Sequence, residues 1–540
     1  MKIVLAEKVS PATLAVLQAE AGWNVVTHDQ IKNGLPKELA DADGLVVRSA
    51  VQVDDALLEH APKLRVIGRA GVGVDNIDAE AATRRGIVVM NTPGANAIAV
   101  AELTIGLMLA LARQLPKANG LLHQGKWEKK SLSGAELRGK TLAVLGLGRI
   151  GLEVAQRAAS FGMQIIGHDP FVSAAVARER GVELVALDAL FARADYLTLH
   201  VGLTPQTTNI INAKNLATMK KGVRIVNCAR GELIEDAALL AALDNGQVAG
   251  AALDVFREEP LKESPYFNRE NVLLTPHIAG STAEAQEAVG IQIARQVREY
   301  LKLGVVQNAV NLPSLSHEEY VELSPYIDMA ARLGTLLSAN TDGNVEGISL
   351  TYRGRLVQGK TDLVRNAAIQ GVLAHSEQVN QINAAAVAEE RGIRLHESKL
   401  EDGGPAGLTL TLHTGSGEAT ATATVLHGRS PRLLASDGID IEVPLHGTLI
   451  AIRNIDVPGV IGRVGTVLGE HQVNIANFAL GRGAETATNN GAGSAIAVVQ
   501  VDGDITPAVI AALEGIEAVS RVRLIQLPPL PLGGEWPPLR

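Results

Sequence analysis

The sequence predicts an α/β protein that begins with two doubly wound domains of parallel sheet and ends with two smaller α+β domains. Three observations support this prediction. Short apolar strands alternate with helical patterns over residues 2–93, and a second strand–helix series opens at Lys140. From Gly447 the order is strand, helix, strand, strand, helix, strand. A chain of 540 residues is also too long for one ordinary core.

The first domain is predicted over residues 1–93 together with residues 281–308. Its strands are the β-branched runs KIVLA, GLVVR, LRVIG and IVVMN, and PATLAVLQAEAG is typical of the helices between them. A helical pattern from about Thr282 to Leu303 follows the last strand of the second sheet. We expect this helix to return to the first domain, which makes that domain discontinuous.

The second domain is predicted over residues 94–280. It opens with a long apolar helix, AIAVAELTIGLMLALARQL, which should be buried on several sides. Its strands are KTLAVL, MQIIGH, YLTLHV, RIVNCA, GAALDVF and VLLTPH. These runs show little alternation between apolar and polar residues, as expected for a parallel sheet that is covered by helices on both faces.

The rest of the chain has a different character. Residues 317–446 combine helical patterns, such as residues 324–340, with two alternating Thr-rich strands, LTLTLHT and ATATATVLHG, and are predicted to be an α+β domain. Residues 447–527 have the βαββαβ order of a ferredoxin-like domain. The tail at 528–540, PPLPLGGEWPPLR, is too rich in proline to fold alone.

Charge and cysteine content exclude several classes of function. A net charge of −9 and a pI near 5.9 argue against a nucleic-acid surface or an anionic membrane as partner. The N-terminus lacks a signal-peptide pattern and no apolar stretch reaches membrane-spanning length, so we expect a cytoplasmic protein. The single cysteine, Cys228, excludes an intramolecular disulfide and a multi-cysteine metal site, and no metal site is predicted.

A glycine-rich loop predicts a dinucleotide site. GLGRIG, at residues 146–151, follows the strand KTLAVL and opens a helix, and its glycines suit a tight turn, a close pyrophosphate and helix–sheet packing. Asp169 ends the next strand, where a carboxylate binds both ribose hydroxyls and repels a 2′-phosphate, which favours NAD over NADP. Arg149 either touches the pyrophosphate or is solvated. The loop residues assigned to the cofactor are Gly146, Gly148, Arg149, Ile150 and Gly151.

Three later segments, NCARGELI, AALDVFREEP and LTPHIAGST, each end a predicted strand. Ligands bind beyond the carboxyl ends of strands in an open α/β sheet. We therefore expect Arg230, Glu259 and His277 to lie in the same crevice at that edge of the sheet. An arginine clamps a carboxylate, a histidine exchanges a proton near neutral pH, and a glutamate holds the imidazole and favours its charged form. Together these residues predict a catalytic site.

Through GLGRIG, VNCARG, DVFREEP and TPHIAGST the chain resembles the D-isomer-specific 2-hydroxyacid dehydrogenases. Residues 1 to about 308 resemble the catalytic core of that family. Residues 317–446 resemble the intervening allosteric substrate-binding domain of its long members, and residues 447–527 resemble their ACT domain. The resemblance implies two Rossmann-like domains in the core and NAD as the cofactor.

The resemblance also implies roles for individual residues. His277 would take the C2 hydroxyl proton as a hydride leaves C2 for the nicotinamide, and Glu259 would orient and charge His277. Arg230 would bind the substrate carboxylate or the developing carbonyl. Asp254 would bond the nicotinamide carboxamide, whereas Cys228 would line the cofactor site without acting as a nucleophile.

Basic residues at the strand ends of the first domain indicate which substrate the chain binds. VVRSA and VIGRAGVGVDNID supply Arg48, with Ser49 beside it, and Arg69; these positions and Asn96 match substrate positions of the family. Such positive charge suits a phosphorylated substrate, and the resemblance implies 3-phosphoglycerate. The alternatives are another D-2-hydroxyacid dehydrogenase, which would reduce glyoxylate or hydroxypyruvate or oxidise D-lactate, and an NADH-sensing binding protein similar to the corepressors that share this core.

The last domain carries a candidate effector site. RNIDVPGVIGRVGTVLGEHQVNIANF resembles the ACT signature, in which paired domains commonly bind an amino acid at their interface. Asn454 and Asp456 precede its Pro-Gly turn, and Asn474 begins the following strand. The resemblance implies L-serine as the effector. The alternative is that this domain only holds subunits together.

The run GKWEKK resembles an arm that contacts a second subunit. Trp127 would then pack on the neighbouring chain, and Lys129 or Lys130 would reach the phosphate site of that chain. The alternative is that the lysines form a solvated face. We therefore expect a homo-oligomer, a dimer or a tetramer.

Overall fold

The computed structural model describes residues 1–32, 34–312, 317–358, 361–374, 379–401, 405–483 and 493–530. Within these ranges the strands form four sheets. The predicted tail falls largely outside the described residues, since only 528–530 of it belong to them.

The first sheet has five parallel strands in the order β2-β1-β3-β4-β5. Its central strands are almost entirely buried, because helices cover both faces. The elements are β1 (Lys2–Leu5), α1 (Pro11–Gln18), β2 (Asn24–Val26), α2 (Leu35–Leu39), β3 (Gly44–Val47), α3 (Asp55–Glu59), β4 (Val66–Arg69), α4 (Ala79–Arg84) and β5 (Val88–Met90).

The second sheet has seven parallel strands in the order β12-β11-β10-β9-β6-β7-β8. The chain runs outward from β6 in one direction and from β9 in the other, so the switch point for ligands lies between these two strands. The elements are α5 (Ala97–Arg113), α6 (Leu115–His123), β6 (Thr141–Leu145), α7 (Arg149–Ala159), β7 (Gln164–His168), α8 (Ala174–Glu179), β8 (Glu183–Leu184), α9 (Leu187–Arg193), β9 (Tyr196–Leu199), α10 (Ala213–Thr218), β10 (Val223–Asn227), α11 (Asp236–Asp244), β11 (Val248–Leu253) and β12 (Val272–Leu274).

A long helix, α12 (Ala283–Leu303), leaves the second sheet and packs on α1 and β4 of the first. The Thr282 side chain caps its first turn by accepting from the backbone N–H of Ala285 at 3.1 Å. Close contact with β4 requires Gly68, because a Cβ there would lie 2.7 Å from Cγ1 of Ile293.

The third sheet has six strands in the order β14-β13-β15-β16-β17-β18, and only β13 and β14 are parallel. Threonine hydroxyls on β15 and β16 pair across the strands, with Thr409 and Thr422 2.9 Å apart. The elements are α13 (His317–Ala339), β13 (Val345–Arg353), α14 (Thr361–Val372), α15 (Ala384–Glu390), β14 (Arg394–Leu400), β15 (Gly407–Thr414), β16 (Gly417–Leu426), β17 (Ser430–Ser436) and β18 (Ile439–Pro444).

The fourth sheet is antiparallel, in the order β20-β21-β19-β22. Its helices lie on one face, where Val460, Val464 and Leu468 are buried. The elements are β19 (Gly447–Ile455), α16 (Val460–Glu470), β20 (Asn474–Arg482), β21 (Ser494–Asp502), α17 (Pro507–Glu514) and β22 (Val519–Leu527). The predicted fold class is confirmed, including the βαββαβ order of the last domain.

Candidate active site

The glycine-rich loop connects β6 to α7 and leaves room for a ligand. Gly146 has a φ of 94°, and a Cβ there would lie 2.5 Å from the carbonyl oxygen of His200. A Cβ on Gly151 would lie 2.0 Å from the carbonyl oxygen of Gly146, so the turn and the helix start both need glycine. By contrast, a Cβ on Gly148 would meet nothing within 4 Å, which is the open space that a pyrophosphate needs at a helix N-terminus.

Asp169 is fixed beside this loop. Its Oδ2 accepts from the backbone N–H of Leu147 at 2.9 Å, and its Oδ1 accepts from the N–H of Phe171 at 2.9 Å. The carboxylate therefore faces the loop from the end of β7, where a ribose would lie. The geometry fits a dinucleotide with free ribose hydroxyls.

Arg149 contacts the segment that joins the two sheets of the core, a contact that the sequence did not indicate. Its Nη1 donates to the carbonyl oxygen of Pro93, and its side chain lies where a Cβ on Gly94 would be. The guanidinium thus links the cofactor loop to the segment that joins the two sheets of the core. Ile150 is half-buried at the start of α7 and packs against the core of the second sheet.

His277 and Glu259 are in direct contact at the carboxyl ends of β11 and β12. Nδ1 of His277 lies 2.6 Å from Oε2 of Glu259, and Oε1 of Glu259 accepts from the N–H of Phe256 at 2.9 Å. The glutamate is therefore held at both oxygens. The His277 side chain is half-exposed, so its Nε2 edge is available to a bound molecule.

Asp254 lies beneath the loop that carries His277 and has no exposed surface. Its Oδ1 accepts from the Thr275 hydroxyl at 2.6 Å and the Ile278 N–H at 2.9 Å, and its Oδ2 accepts from the Ala279 N–H at 2.9 Å. These bonds hold the loop in place. The predicted contact with the nicotinamide carboxamide stays a prediction, and sequence reasoning missed the part played by Thr275.

Arg230 follows β10 and reaches across to the first domain. The Asn227 side chain fixes the turn, donating to the carbonyl oxygen of Arg230 at 2.7 Å and accepting from the Ala229 N–H at 3.0 Å. Nη2 of Arg230 lies 2.9 Å from Oδ2 of Asp75. Sequence reasoning missed Asp75, although it stands in the VGVDNID stretch that supplies Arg69.

The basic residues predicted to meet the substrate gather near Arg230. Burial, and then the charge of Arg230, lowers the pKa of Arg69, and the charge of Arg48 acts in the same direction. Nε of Arg69 is buried and has no hydrogen-bond partner in the described chain. The backbone N–H of Arg48 donates to Glu7 at 2.8 Å, while the neighbouring Ser49 is exposed.

Asn96 lies just before α5. Its Oδ1 is buried and has no hydrogen-bond partner among the described residues. It lies close to Gly280, since a Cβ on that glycine would be 3.0 Å from Nδ2 of Asn96. A buried amide oxygen without a donor suits contact with a substrate hydroxyl.

Two further residues near the cofactor loop titrate far from neutral pH. Burial raises the pKa of the Cys228 thiol to about 12, which opposes a nucleophilic role. Burial also lowers the pKa of His200 to about 3, and its Nε2 lies 2.8 Å from the Thr198 hydroxyl. His200 is therefore neutral at physiological pH.

The predicted effector residues have local partners in the last domain. Asn454 is buried, and its Oδ1 has no hydrogen-bond partner within the described ranges. Oδ2 of Asp456 lies 3.2 Å from Nε of Arg482. Nδ2 of Asn474 donates to Asp502 at 2.6 Å on the surface.

These effector residues do not form one site within a chain. Asn454 is paired with Ala495 on β21, whereas Asn474 is paired with Asp502, seven residues farther along the same strand. At about 3.3 Å per residue the two asparagines are roughly 23 Å apart. A site that contains both requires a second chain.

A string of exposed apolar side chains marks α5, α6 and the arm that follows. Ile98, Leu115 and Leu122 are exposed, and Trp127 is 82% exposed. No single described helix is long and apolar enough to cross a membrane; α5 and α6, bent by 64°, meet that test only as a pair.

Comparison with known families assigns most of the chain. Residues 105–279 match the D-isomer specific 2-hydroxyacid dehydrogenase, NAD binding domain. Residues 322–436 match the D-3-phosphoglycerate dehydrogenase intervening domain, and residues 448–518 match the ACT domain. The prediction of NAD as the cofactor is confirmed.

Individual relatives and solved structures agree. The chain is 41% identical to D-3-phosphoglycerate dehydrogenase of Methanocaldococcus jannaschii, with 98% of this chain and 100% of the relative covered. It is 38% identical to the Bacillus subtilis enzyme of the same name, with 91% and 93% covered. D-lactate dehydrogenase from Aquifex aeolicus, complexed with NAD and lactic acid, matches with a TM-score of 0.52 and 27% identity, over 58% of this chain and 100% of that one. The chain therefore belongs to the D-3-phosphoglycerate dehydrogenases, within the D-isomer-specific 2-hydroxyacid dehydrogenase family.

Proposed function

We propose that this chain oxidises 3-phospho-D-glycerate to 3-phosphohydroxypyruvate with NAD, the first step of the phosphorylated route to L-serine. The observation that carries the proposal is the contact between His277 and Glu259, 2.6 Å apart, at the same edge of the second sheet as Arg230, since β10, β11 and β12 are neighbouring parallel strands. An imidazole, its acidic partner and a guanidinium are the groups that oxidation of a 2-hydroxy acid requires.

NAD supplies the hydride acceptor when it is bound, and the glycine loop at 146–151 and Asp169 would hold it. His277 takes the proton of the C2 hydroxyl through Nε2, because Nδ1 is engaged by Glu259. Glu259 stabilises the imidazolium that results. Arg230 binds the carboxylate of the substrate and withdraws charge from the developing carbonyl.

The phosphate of the substrate would be met by Arg48 and Arg69. Both lie at strand ends of the first domain, and Arg69 keeps a buried N–H without a partner in the described chain. Ser49 and Asn96 would contribute neutral hydrogen bonds. A phosphate carries close to two negative charges at neutral pH, so these guanidinium groups favour a phosphorylated acid over lactate or glyoxylate.

Turnover tests the proposal. Purified full chain is incubated with NAD and 3-phosphoglycerate at alkaline pH, with hydrazine to trap the keto product. We expect NADH to form with this substrate and much more slowly with D-lactate. Faster reaction with D-lactate, or faster NADH oxidation with glyoxylate, would identify another substrate, and no turnover with any of them would indicate a binding protein.

We also propose that the chain acts as a homo-oligomer, a dimer or a tetramer. The exposed side chains on α6 and Trp127 offer an apolar surface, and Lys129 or Lys130 would reach the neighbouring phosphate site. L-serine would bind where Asn454 and Asp456 of one chain meet Asn474 of another. The expected cytoplasmic location stays a prediction.

A further inference from the structure

A cavity of about 580 Å³ lies between the catalytic core and the third sheet, away from the candidate active site. Thr83, Asn311 and Leu312 form its core side, and residues of α14, α15 and β14 form the other side. None of the residues assigned to NAD or to the substrate lines it. A ligand in this cavity would touch two domains at once.

Carboxylates outnumber cations around the cavity. Nη1 of Arg365 lies 3.0 Å from Oδ1 of Asp362 and 3.0 Å from Oε1 of Glu397. Glu389 is exposed at the rim and forms no ion pair or side-chain hydrogen bond within the described part of the chain. Among the described residues that line the cavity, two carboxylates stand against one guanidinium, and Glu397 behind the lining also offsets the charge of Arg365, so the cavity favours an ammonium group over a net anion.

The floor of the cavity is apolar and continues into a smaller space behind it. Leu312 and Ile382 line both spaces, and Tyr300 lines the inner one. Oε1 of Gln381 is buried in this inner space without a hydrogen-bond partner in the described chain. A buried acceptor of this kind is satisfied by a ligand donor or by water.

We propose that this cavity binds a free α-amino acid with an apolar side chain. Asp362 and Glu389 attract its ammonium group, and the side chain packs on Leu312 and Ile382. Arg365 is the only cation lining the cavity, within the described residues, that can receive the carboxylate. This site is separate from the effector residues of the last domain.

The cavity is linked to the active site through α4. Nδ2 of Asn380 donates to the carbonyl oxygen of Gly86 at 3.1 Å, and Nδ2 of Asn383 donates to that of Arg84 at 3.2 Å. These contacts tie the third-sheet domain to the end of α4, and the loop before α4 carries Asp75, the partner of Arg230. Occupancy of the cavity is therefore expected to change substrate binding.

Calorimetric titration of the full chain with L-leucine and L-valine tests the site without reference to turnover. We expect binding at millimolar or lower concentration, weakened about tenfold or more by Glu389→Gln. Ala386→Phe, which fills the cavity, should abolish binding. Glu390→Gln, one residue along the same helix and exposed, should bind as the unaltered chain does.

Two analogues of L-leucine show which of its charged groups the cavity binds. Isoamylamine, which keeps the ammonium, should bind more tightly than isovalerate, which keeps only the carboxylate. The proposal is overturned if neither amino acid binds at about 10 mM, if binding survives both Glu389→Gln and Ala386→Phe, or if isovalerate binds as well as L-leucine. Because Glu389 is exposed, its variant remains informative even if Ala386→Phe fails to fold.

The link to the active site has its own readout and rests on the proposed function. The amino acid should change the KM for 3-phosphoglycerate about threefold or more. In the double variant Asn380→Ala, Asn383→Ala the amino acid should still bind while its effect on KM disappears. An unaltered KM in the starting chain, with binding intact, would refute the coupling and leave the site itself standing.

Discussion

His277 and Glu259 are joined by a 2.6 Å contact between Nδ1 and Oε2, and the second oxygen of the glutamate is held by the Phe256 N–H. Because this pair orients the imidazole, Glu259→Gln should lower kcat by roughly 10²-fold while the KM for NAD changes little. His277→Asn should lower kcat by about 10³-fold or more. Steady-state kinetics with NAD and 3-phosphoglycerate measures both.

The two consecutive glutamates, Glu258 and Glu259, supply a control for this prediction. Glu258→Gln alters the adjacent glutamate and should retain near-normal kcat, because the acidic partner of His277 is Glu259. Equal losses in the Glu258 and Glu259 variants would contradict the positioning role of Glu259.

Asp75 neutralises Arg230, with 2.9 Å between Oδ2 of Asp75 and Nη2 of Arg230. A substrate carboxylate must share or displace this acid, so Asp75→Asn should lower the KM for 3-phosphoglycerate. Asp75 is exposed, and exposed pairs contribute about 1 kcal/mol at most, so the change should not exceed about fivefold. Asp75→Glu, which keeps the charge, should leave KM close to its original value; a raised KM in the Asn variant would refute the competition.

Arg69 distinguishes phosphorylated from unphosphorylated substrates. Arg69→Ala should raise the KM for 3-phosphoglycerate by about 10²-fold, because a phosphate loses a charged hydrogen-bond donor in a partly buried site. Oxidation of D-glycerate, which lacks the phosphate, should be much less affected. If the KM values for both substrates rise equally, Arg69 supports the structure of the cleft and does not bind the phosphate.

Cys228 gives a prediction for alkaline stability. Burial raises the pKa of its thiol from 9.0 to about 12, so the folded chain keeps the thiol neutral after the unfolded chain has lost its proton. The resulting stabilisation is complete below pH 9 and is lost as pH rises toward 12. The free energy of unfolding, measured with urea at several pH values between 9 and 12, should therefore fall with pH more steeply than in Cys228→Ala. The difference in this pH dependence should reach up to about 1.4 kcal/mol per pH unit. Identical slopes would contradict the shift.

Much of the fold and of the candidate site in the catalytic core could be predicted from the sequence, because both depend on patterns of neighbouring residues. The positions of Gly146 and Gly151 follow from turn geometry and helix packing, which a strand–loop–helix pattern already expresses. Strand ends also carry site residues to one edge of a parallel sheet, so the meeting of His277 and Glu259 required no knowledge of side-chain contacts.

Contacts between distant segments were not accessible in this way. The ion pair of Arg230 with Asp75 spans two domains, and Arg149 bonds to Pro93, which lies in the segment that joins the two sheets of the core. In the third sheet the sequence indicated two strands where six exist, since only the Thr-rich pair alternates clearly. The helix predicted from 324 begins at His317 and continues through Pro325, a residue that usually ends a helix.

Because Asn454 and Asn474 lie far apart within one chain, the effector site proposed above would exist only when two chains associate. A serine molecule bridging two chains at the proposed site would strengthen their association, and dilution into single chains would release the serine while leaving the contact between His277 and Glu259 intact. Thermodynamic reciprocity requires that serine tighten the association of the two chains by the same factor by which association tightens the binding of serine. Sensitivity to serine should therefore fade at protein concentrations where the oligomer dissociates.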